Sequence, residues 1–159
     1  MPHNHCVKCR KKIFFLDLCR RHYIEVIDKR FKREIDLKKN ATYVVRDKVI
    51  EYMLKKNLTL KFRIVKKGKY PEIKGYTSEY FVNDFLKNLL KGDIKTYNGI
   101  YPLQNITYDE IKKYLSASGV KIPIKKPYWP LVSSLEHFGI DAKHSTIKSM
   151  KDLKRFFVN

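Results

Sequence analysis

Residues 41–65 read ATYVVRDKVIEYMLKKNLTLKFRIV. The opening ATYVV is β-branched and aromatic, the composition of a strand. Through RDKVIEYMLKKN, the apolar Val49, Ile50, Met53 and Leu54 fall on one side of a helix. LTLKFRIV, residues 58–65, alternates apolar with polar and predicts a second strand. A strand, a helix and a strand in that order make a βαβ unit, which pairs its strands in parallel.

Toward the C-terminus the same alternation continues. KKGKYPEIKG, residues 66–75, is rich in Lys, Gly and Pro and predicts a loop. TSEYFVNDFLKNLLK follows as a helix, with Thr77 or Ser78 as N-cap and Phe81, Phe85 and Leu89 along its apolar side. GDIKTYNGIYPLQNI, residues 92–106, is expected to hold a third strand or two short ones. TYDEIKKYLSASG carries a capping box, Thr107 with Glu110, and ends at Gly119 in a C′ position. VKIPIKKP is extended because Pro123 and Pro127 forbid helix. Two helices, in YWPLVSSLEHFG and HSTIKSMKDLKRFF, are expected to close the chain.

Toward the N-terminus lies CVKCRKKIFFLDLCRRH, residues 6–22, with every cysteine of the chain: Cys6, Cys9 and Cys19. Three thiols cannot all pair as disulfides. Cys6-x2-Cys9 and Cys19-x2-His22 are two short pairs of soft ligands across a nine-residue spacer. That pattern suits tetrahedral zinc, with four protein ligands and no open position, so the site is structural. His3 and His5 are competing ligands near a terminus. Beyond the knuckle, Tyr23, Ile27, Phe31 and Ile35 recur at i+4 spacing, and Lys29, Arg30, Lys32 and Arg33 make a basic face. The expected architecture is α/β: a zinc knuckle and basic helix over 1–39, then a small, partly parallel sheet with flanking helices over 40–159.

The charge balance points to a partner class. Lys+Arg number 35 against Asp+Glu 16, a formal net charge of +19. Such an excess attracts polyanions, and nucleic acid binding gains from counterion release. The candidate contacts are Arg10, Lys11, Lys12, Arg20 and Arg21 at the knuckle, Arg30 and Arg33 on the helix, and Arg63, Lys66, Lys67 and Lys69 beside Tyr70 and Tyr76. The tyrosines either stack on exposed bases or pack inward. No signal peptide precedes the knuckle and no apolar run is long enough to span a bilayer, so a reducing cytoplasm and no membrane are expected. No HExxH, no Gly-Lys-Ser/Thr phosphate loop and no convincing acid pair is present. Ser134, Glu136 and His137 are too close along one helix to converge on a substrate.

The knuckle followed by LCRRHYIEVIDKRFKREI resembles the N-terminus of the tRNA 2-thiolation enzymes, in the PP-loop ATP pyrophosphatase (adenine nucleotide alpha hydrolase) superfamily. IKGYTSEYFVNDFLKNLL, YPLQNITYDEIKKYLSASGV and SSLEHFGIDAKHSTIKSMKDLKRF resemble later segments of that family, in the same order. The resemblance implies a shortened, degenerate PP-loop-like domain and RNA, most of all tRNA, as partner. The family holds ATP on a Ser-Gly-Gly-x-Asp-Ser loop after the first strand. Here YVVRDKVIEY stands in its place, without either glycine or serine. The family's catalytic cysteines are absent too, and its second, C-terminal knuckle has no counterpart before Asn159. The expected protein is therefore a pseudoenzyme related to tRNA modification, acting with a catalytic protein partner. The alternatives are a divergent ATP-dependent tRNA-modifying enzyme, binding nucleotide through Arg46, Asp47 and Lys48, or a zinc-dependent protein-interaction module.

Overall fold

The computed structural model describes residues 5–93 and 99–124. The two closing helices expected beyond Pro127, with Ser134, Glu136 and His137, lie outside the described residues. Among the described residues, seven elements run in the order α1 (Arg20–Arg33), β1 (Thr42–Val45), α2 (Lys48–Asn57), β2 (Arg63–Val65), β3 (Glu72–Ile73), α3 (Ser78–Leu90) and α4 (Tyr108–Ser118). The fold is α/β, with an N-terminal cysteine cluster.

The sheet is parallel throughout, in the order β2-β1-β3. Thr42, Tyr43 and Val44 pair with Arg63, Ile64 and Val65 on one side, and Val44 and Val45 pair with Glu72 and Ile73 on the other. The central strand is paired along both edges, and its Tyr43, Val44 and Val45 are all buried, as in a parallel sheet with both faces covered. The second strand is shorter than its alternating sequence: Leu58 to Phe62 stay outside the ladder, and only Arg63–Val65 pair. The third strand is Glu72–Ile73, inside the segment expected to be loop. It lies toward the C-terminal end of β1, so the short connection from β2 need not run back the length of the sheet. Downstream, where a strand was expected, the described residues contribute a single parallel bridge, Ile100 to Ile73.

The helices follow their periodicity. α1 buries Tyr23, Ile27 and Phe31; α2 buries Val49, Ile50, Met53 and Leu54. α1 packs on α2 and α4, and Cys6, Leu18 and Cys19 belong to the same apolar core as the residues of both. α3 buries Phe81 and Val82 in a smaller cluster with Tyr76, Tyr80 and Tyr101, but its Leu89 is 57% exposed. α4 begins on the expected capping box and stops at Gly119, whose φ of 71° is the left-handed C-terminal geometry glycine adopts without strain.

Polar joints fix the layers. Glu34, at the end of α1, accepts from the side-chain amides of Gln104 and Asn105. Asp28 accepts from the Tyr114 hydroxyl at 2.5 Å, the Asn57 amide at 2.8 Å and the Lys56 ammonium at 2.9 Å, tying α1 to α4 and α2. Glu51 of α2 meets Lys55 at 2.8 Å and Lys66 at 2.5 Å. The Lys55 ammonium, then that of Lys66, hold its carboxyl down at about 2, against an ordinary 4.5. A lowered carboxyl stabilises the fold above its unfolded pKa and loses that contribution as pH falls from about 4.5 toward 2. Glu51→Gln is therefore expected to cost about 1 kcal/mol or less at pH 7, because the pairs are solvated. The same variant flattens the fall in thermal midpoint between those pH values. Melting curves of both proteins from pH 7 to 2 check this, and parallel falls would refute it.

Candidate metal centre and basic surface

The knuckle is built from two tight turns that aim their side chains at one point. In the first, the Cys9 and Arg10 N–H groups both donate to the Cys6 carbonyl, at 3.3 and 2.9 Å, and Arg10 has a φ of 58°. In the second, Cys19 is the N-cap of α1, so His22 stands in the first helical turn. That turn brings residues three apart to one face. Between them, IFFLDL forms a small hairpin: Phe15 bridges Leu18 antiparallel, and Leu16 and Asp17 turn the chain at φ 46° and 55°. Such a pair of positive values is what a two-residue hairpin turn requires. Phe14 and Phe15 then pack against the buried Tyr23 ring, at centroid distances of 5.8 and 5.3 Å, and anchor the knuckle on α1.

The four expected ligand atoms converge. The sulfurs of Cys6, Cys9 and Cys19 and a nitrogen of His22 all lie within 4.8 Å of one another. His22 Nδ1 is 3.3 Å from Cys6 Sγ and 3.5 Å from Cys19 Sγ, and Cys9 Sγ is 3.5 Å from Cys19 Sγ. Tetrahedral bonds of about 2.0–2.3 Å put ligand atoms roughly 3.5–3.8 Å apart, so these separations suit one small ion. A disulfide needs about 2.05 Å, and all three cysteines are free. His5 is exposed and outside the group; His3 lies outside the described residues.

Electrostatics favour a cation here. Burial works to raise the Cys6 thiol, but N–H groups of Cys19, Lys8 and Cys9 and the His22 side chain hydrogen-bond to its sulfur and together lower it to about 6. At Cys9 the Lys11 N–H favours the thiolate, yet burial and the sulfurs of Cys19 and Cys6 prevail and raise the thiol. Adjacent thiolates thus oppose one another's ionisation, and a divalent cation removes that conflict. His22 Nδ1 faces the sulfurs, while its Nε2 lies 3.9 Å from a Glu25 carboxylate oxygen. A carboxylate behind a ligating imidazole orients the ring.

The candidate phosphate contacts divide into two sets. Arg10, Lys11, Lys12, Arg33, Arg63, Lys67 and Lys69 are exposed and make no ion pair among the described residues. The others have partners within the protein. Arg20 donates to the Ala117 carbonyl at 2.5 Å, Arg21 pairs with Glu25 at 2.8 Å, and Lys66 pairs with Glu51. Arg30 reaches the fully buried Glu110 at 2.6 Å. Spacing along α1 puts Arg30 beside Arg33, and nothing in the sequence marks Glu110 as its partner. Tyr70 is exposed, whereas Tyr76 stacks on Tyr80 with centroids 3.9 Å apart.

At the end of β1, Arg46 lies 3.5 Å from Glu72 and Lys48 is exposed. Asp47 Oδ1 accepts from the N–H groups of Val49 and Ile50, at 2.7 and 3.2 Å. The helix start that an anion would use is thus capped by the chain's own carboxylate. No helix among the described residues is long and apolar enough to cross a membrane. No protein-family model matches the chain, and no curated protein shows significant similarity to it.

Proposed function

We propose that this chain is an RNA-binding protein, with tRNA the foremost candidate, in which a structural zinc ion fixes a basic surface. In this reading it is a non-catalytic relative of the tRNA 2-thiolation enzymes and works beside a catalytic partner in the cytoplasm. The observation that carries the reading is the convergence of Cys6, Cys9, Cys19 and His22 next to the exposed Arg10, Lys11 and Lys12, in a chain of formal net charge +19. Four protein donors fill a tetrahedral shell, so the metal holds structure and does no chemistry. The ion would tether the segment bearing Arg10, Lys11 and Lys12 to the start of α1. Arg33, Arg63, Lys67 and Lys69 are further exposed cations, and Asp47 at the start of α2 speaks against a triphosphate there.

Filter binding of unmodified tRNA over a range of salt tests it. Neutralising four phosphates gives a log K against log salt slope of roughly −3 to −4. Replacing Lys67 and Lys69 together by alanine is expected to weaken binding and reduce the slope by about 2 units. Binding that is absent, or indifferent to salt, would remove the reading.

A further inference from the structure

Four cations meet at the amino ends of β1 and β2. The chain turns into β1 through Lys38, Lys39 and Asn40, and enters β2 through Lys61. The Asn40 N–H donates to the Lys61 carbonyl at 2.7 Å, and the Arg63 N–H donates to the Ala41 carbonyl at 2.9 Å. Arg63 pairs in register with Thr42. Lys38, Lys39, Lys61 and Arg63 are all exposed and form no ion pair among the described residues. Asp36, also exposed, is the one acid in residues 36–43 and 60–63. A cavity bounded by Asp47, Gly75, Tyr108 and Ile122 opens at the carboxyl ends of the strands, so the cations lie at the opposite end.

The sheet sets their direction. Tyr43 and Val45 belong to the core shared with α1 and α2, and Phe62 and Ile64 pack against it. Side chains alternate along an extended chain, so Lys61 and Arg63 stand on the other face, about 6–7 Å apart and within reach of successive phosphates of one strand. The turn is held independently of its lysine side chains. The Lys38 N–H donates to the Tyr43 hydroxyl at 2.8 Å, and the Ala41 N–H to the Lys38 carbonyl at 3.3 Å. Asn40 takes a left-handed φ of 61°, which asparagine tolerates.

Those bonds also select the anion. The N–H groups of Lys38, Asn40 and Ala41 are spent within the protein, so they make no nest for one compact phosphate. No helix begins here either. Asp28 of α1 bonds Asn57, the last residue of α2, at 2.8 Å, so both helices run toward this end of the sheet. What faces outward is charge spread over a surface, which suits the phosphates of a polymer. Single strands are held largely by bases stacked on aromatic side chains. In residues 36–43 and 60–63 no ring is exposed: Tyr43 is buried and Phe62 packs on the core. A base-paired stem keeps its bases stacked on each other and is gripped by its shape and its phosphates.

We propose that Lys38, Lys39, Lys61 and Arg63 form a docking surface for the phosphate backbone of a base-paired RNA stem, held without regard to sequence. The proposal rests on the RNA-binding reading for the kind of nucleic acid. Filter binding of the full chain to tRNA, to RNA and DNA duplexes of about 16 base pairs, and to oligouridine of equal length tests it. The RNA duplex is expected to bind about tenfold or more tightly than oligouridine at the same salt. Lys38→Ala with Lys39→Ala, and Lys61→Ala with Arg63→Ala, are each expected to reduce the slope of log K against log salt by about 2. Lys87→Ala with Lys91→Ala removes equal charge from exposed positions at the end of α3 and is expected to change the slope by less than about 0.5. Lys38→Arg with Lys39→Arg is expected to keep the native slope.

Salt-sensitive tRNA binding that the Lys87 and Lys91 pair weakens as much as the patch pairs do overturns the docking surface and leaves the RNA reading intact. Oligouridine bound as tightly as the RNA duplex overturns the assignment of a stem. A DNA duplex bound more tightly than the RNA duplex, and weakened by the patch variants, upholds the surface and removes the RNA reading. Absence of all nucleic-acid binding removes both.

Discussion

On the proposed function, replacing Cys19 by serine is expected to release the proposed zinc and lower the thermal midpoint by roughly 6–12 °C. The reasoning separates the metal from the helix. Cys19 is the N-cap of α1, and serine is among the best N-caps, so the substitution leaves the helix start at least as well capped. What is lost is one of four ligands. Structural zinc contributes about 10–16 kcal/mol in isolated finger peptides, where nothing else orders the chain. Here α1 has its own apolar packing through Tyr23, Ile27 and Phe31, so the loss is smaller. A loss of about 3 kcal/mol corresponds to that shift in a chain of this size. Metal analysis before and after, with melting curves of the zinc-loaded, chelated and substituted proteins, checks it. Chelated protein and Cys19→Ser should melt alike. One equivalent of zinc retained by Cys19→Ser, with an unchanged midpoint, would dismiss the site.

Glu110→Ala is expected to destabilise the fold by about 2–4 kcal/mol, from the loss of a charge-assisted hydrogen bond to the part-buried Arg30 and of the acceptor for the Thr107 N–H. Glu110 is fully buried and, among the described residues, caps α4 and joins it to α1 through three hydrogen bonds. Its Oε2 accepts from the Thr107 N–H at 2.8 Å, closing the capping box of α4. Its Oε1 accepts from Arg30 of α1 at 2.6 Å. Its backbone carbonyl accepts from the Tyr23 hydroxyl at 2.8 Å, a bond the substitution spares. Alanine therefore leaves a guanidinium without its partner and a helix without its reciprocal cap. Glu110→Gln keeps an acceptor for Thr107 but not the charge, and should fall between alanine and the native residue. Urea unfolding measures both, with the midpoint falling at constant slope. An alanine variant within 1 kcal/mol of native would show that Arg30 and Glu110 do not couple α1 to α4.

The cysteine group was legible because its chemistry is local. Cys6 and Cys9 share one turn, and Cys19 and His22 share another, so spacing alone limits where their side chains point. The same holds for the Thr107–Glu110 box and for Gly119, since a cap involves residues three or four apart. The apolar stripes of α1 and α2 were equally readable, because helical periodicity states which face is buried before anything says against what. β3 was not legible. Two residues in a segment rich in Lys, Gly and Pro carry no strand signal of their own. They pair because β1 presents an open edge at that height.

The basic residues show the same division. Composition establishes an excess of cations, and spacing places several on one helix. It does not tell Arg33, which is exposed, from Arg30, which is held by an acid eighty positions later. Nor does YVVRDKVIEY announce that Asp47 would cap α2 and also face a cavity bounded by Gly75, Tyr108 and Ile122. By itself, then, the sequence determined the elements whose reasons lie within a turn or two: the ligand pairs, the caps, the helical faces and the sign of the charge. Tertiary structure alone decided which cations remain free for a partner, where the third strand joins and what lines the crevice. Those outcomes depend on groups far apart in the chain meeting at distances near 3 Å, and no local periodicity encodes such a meeting.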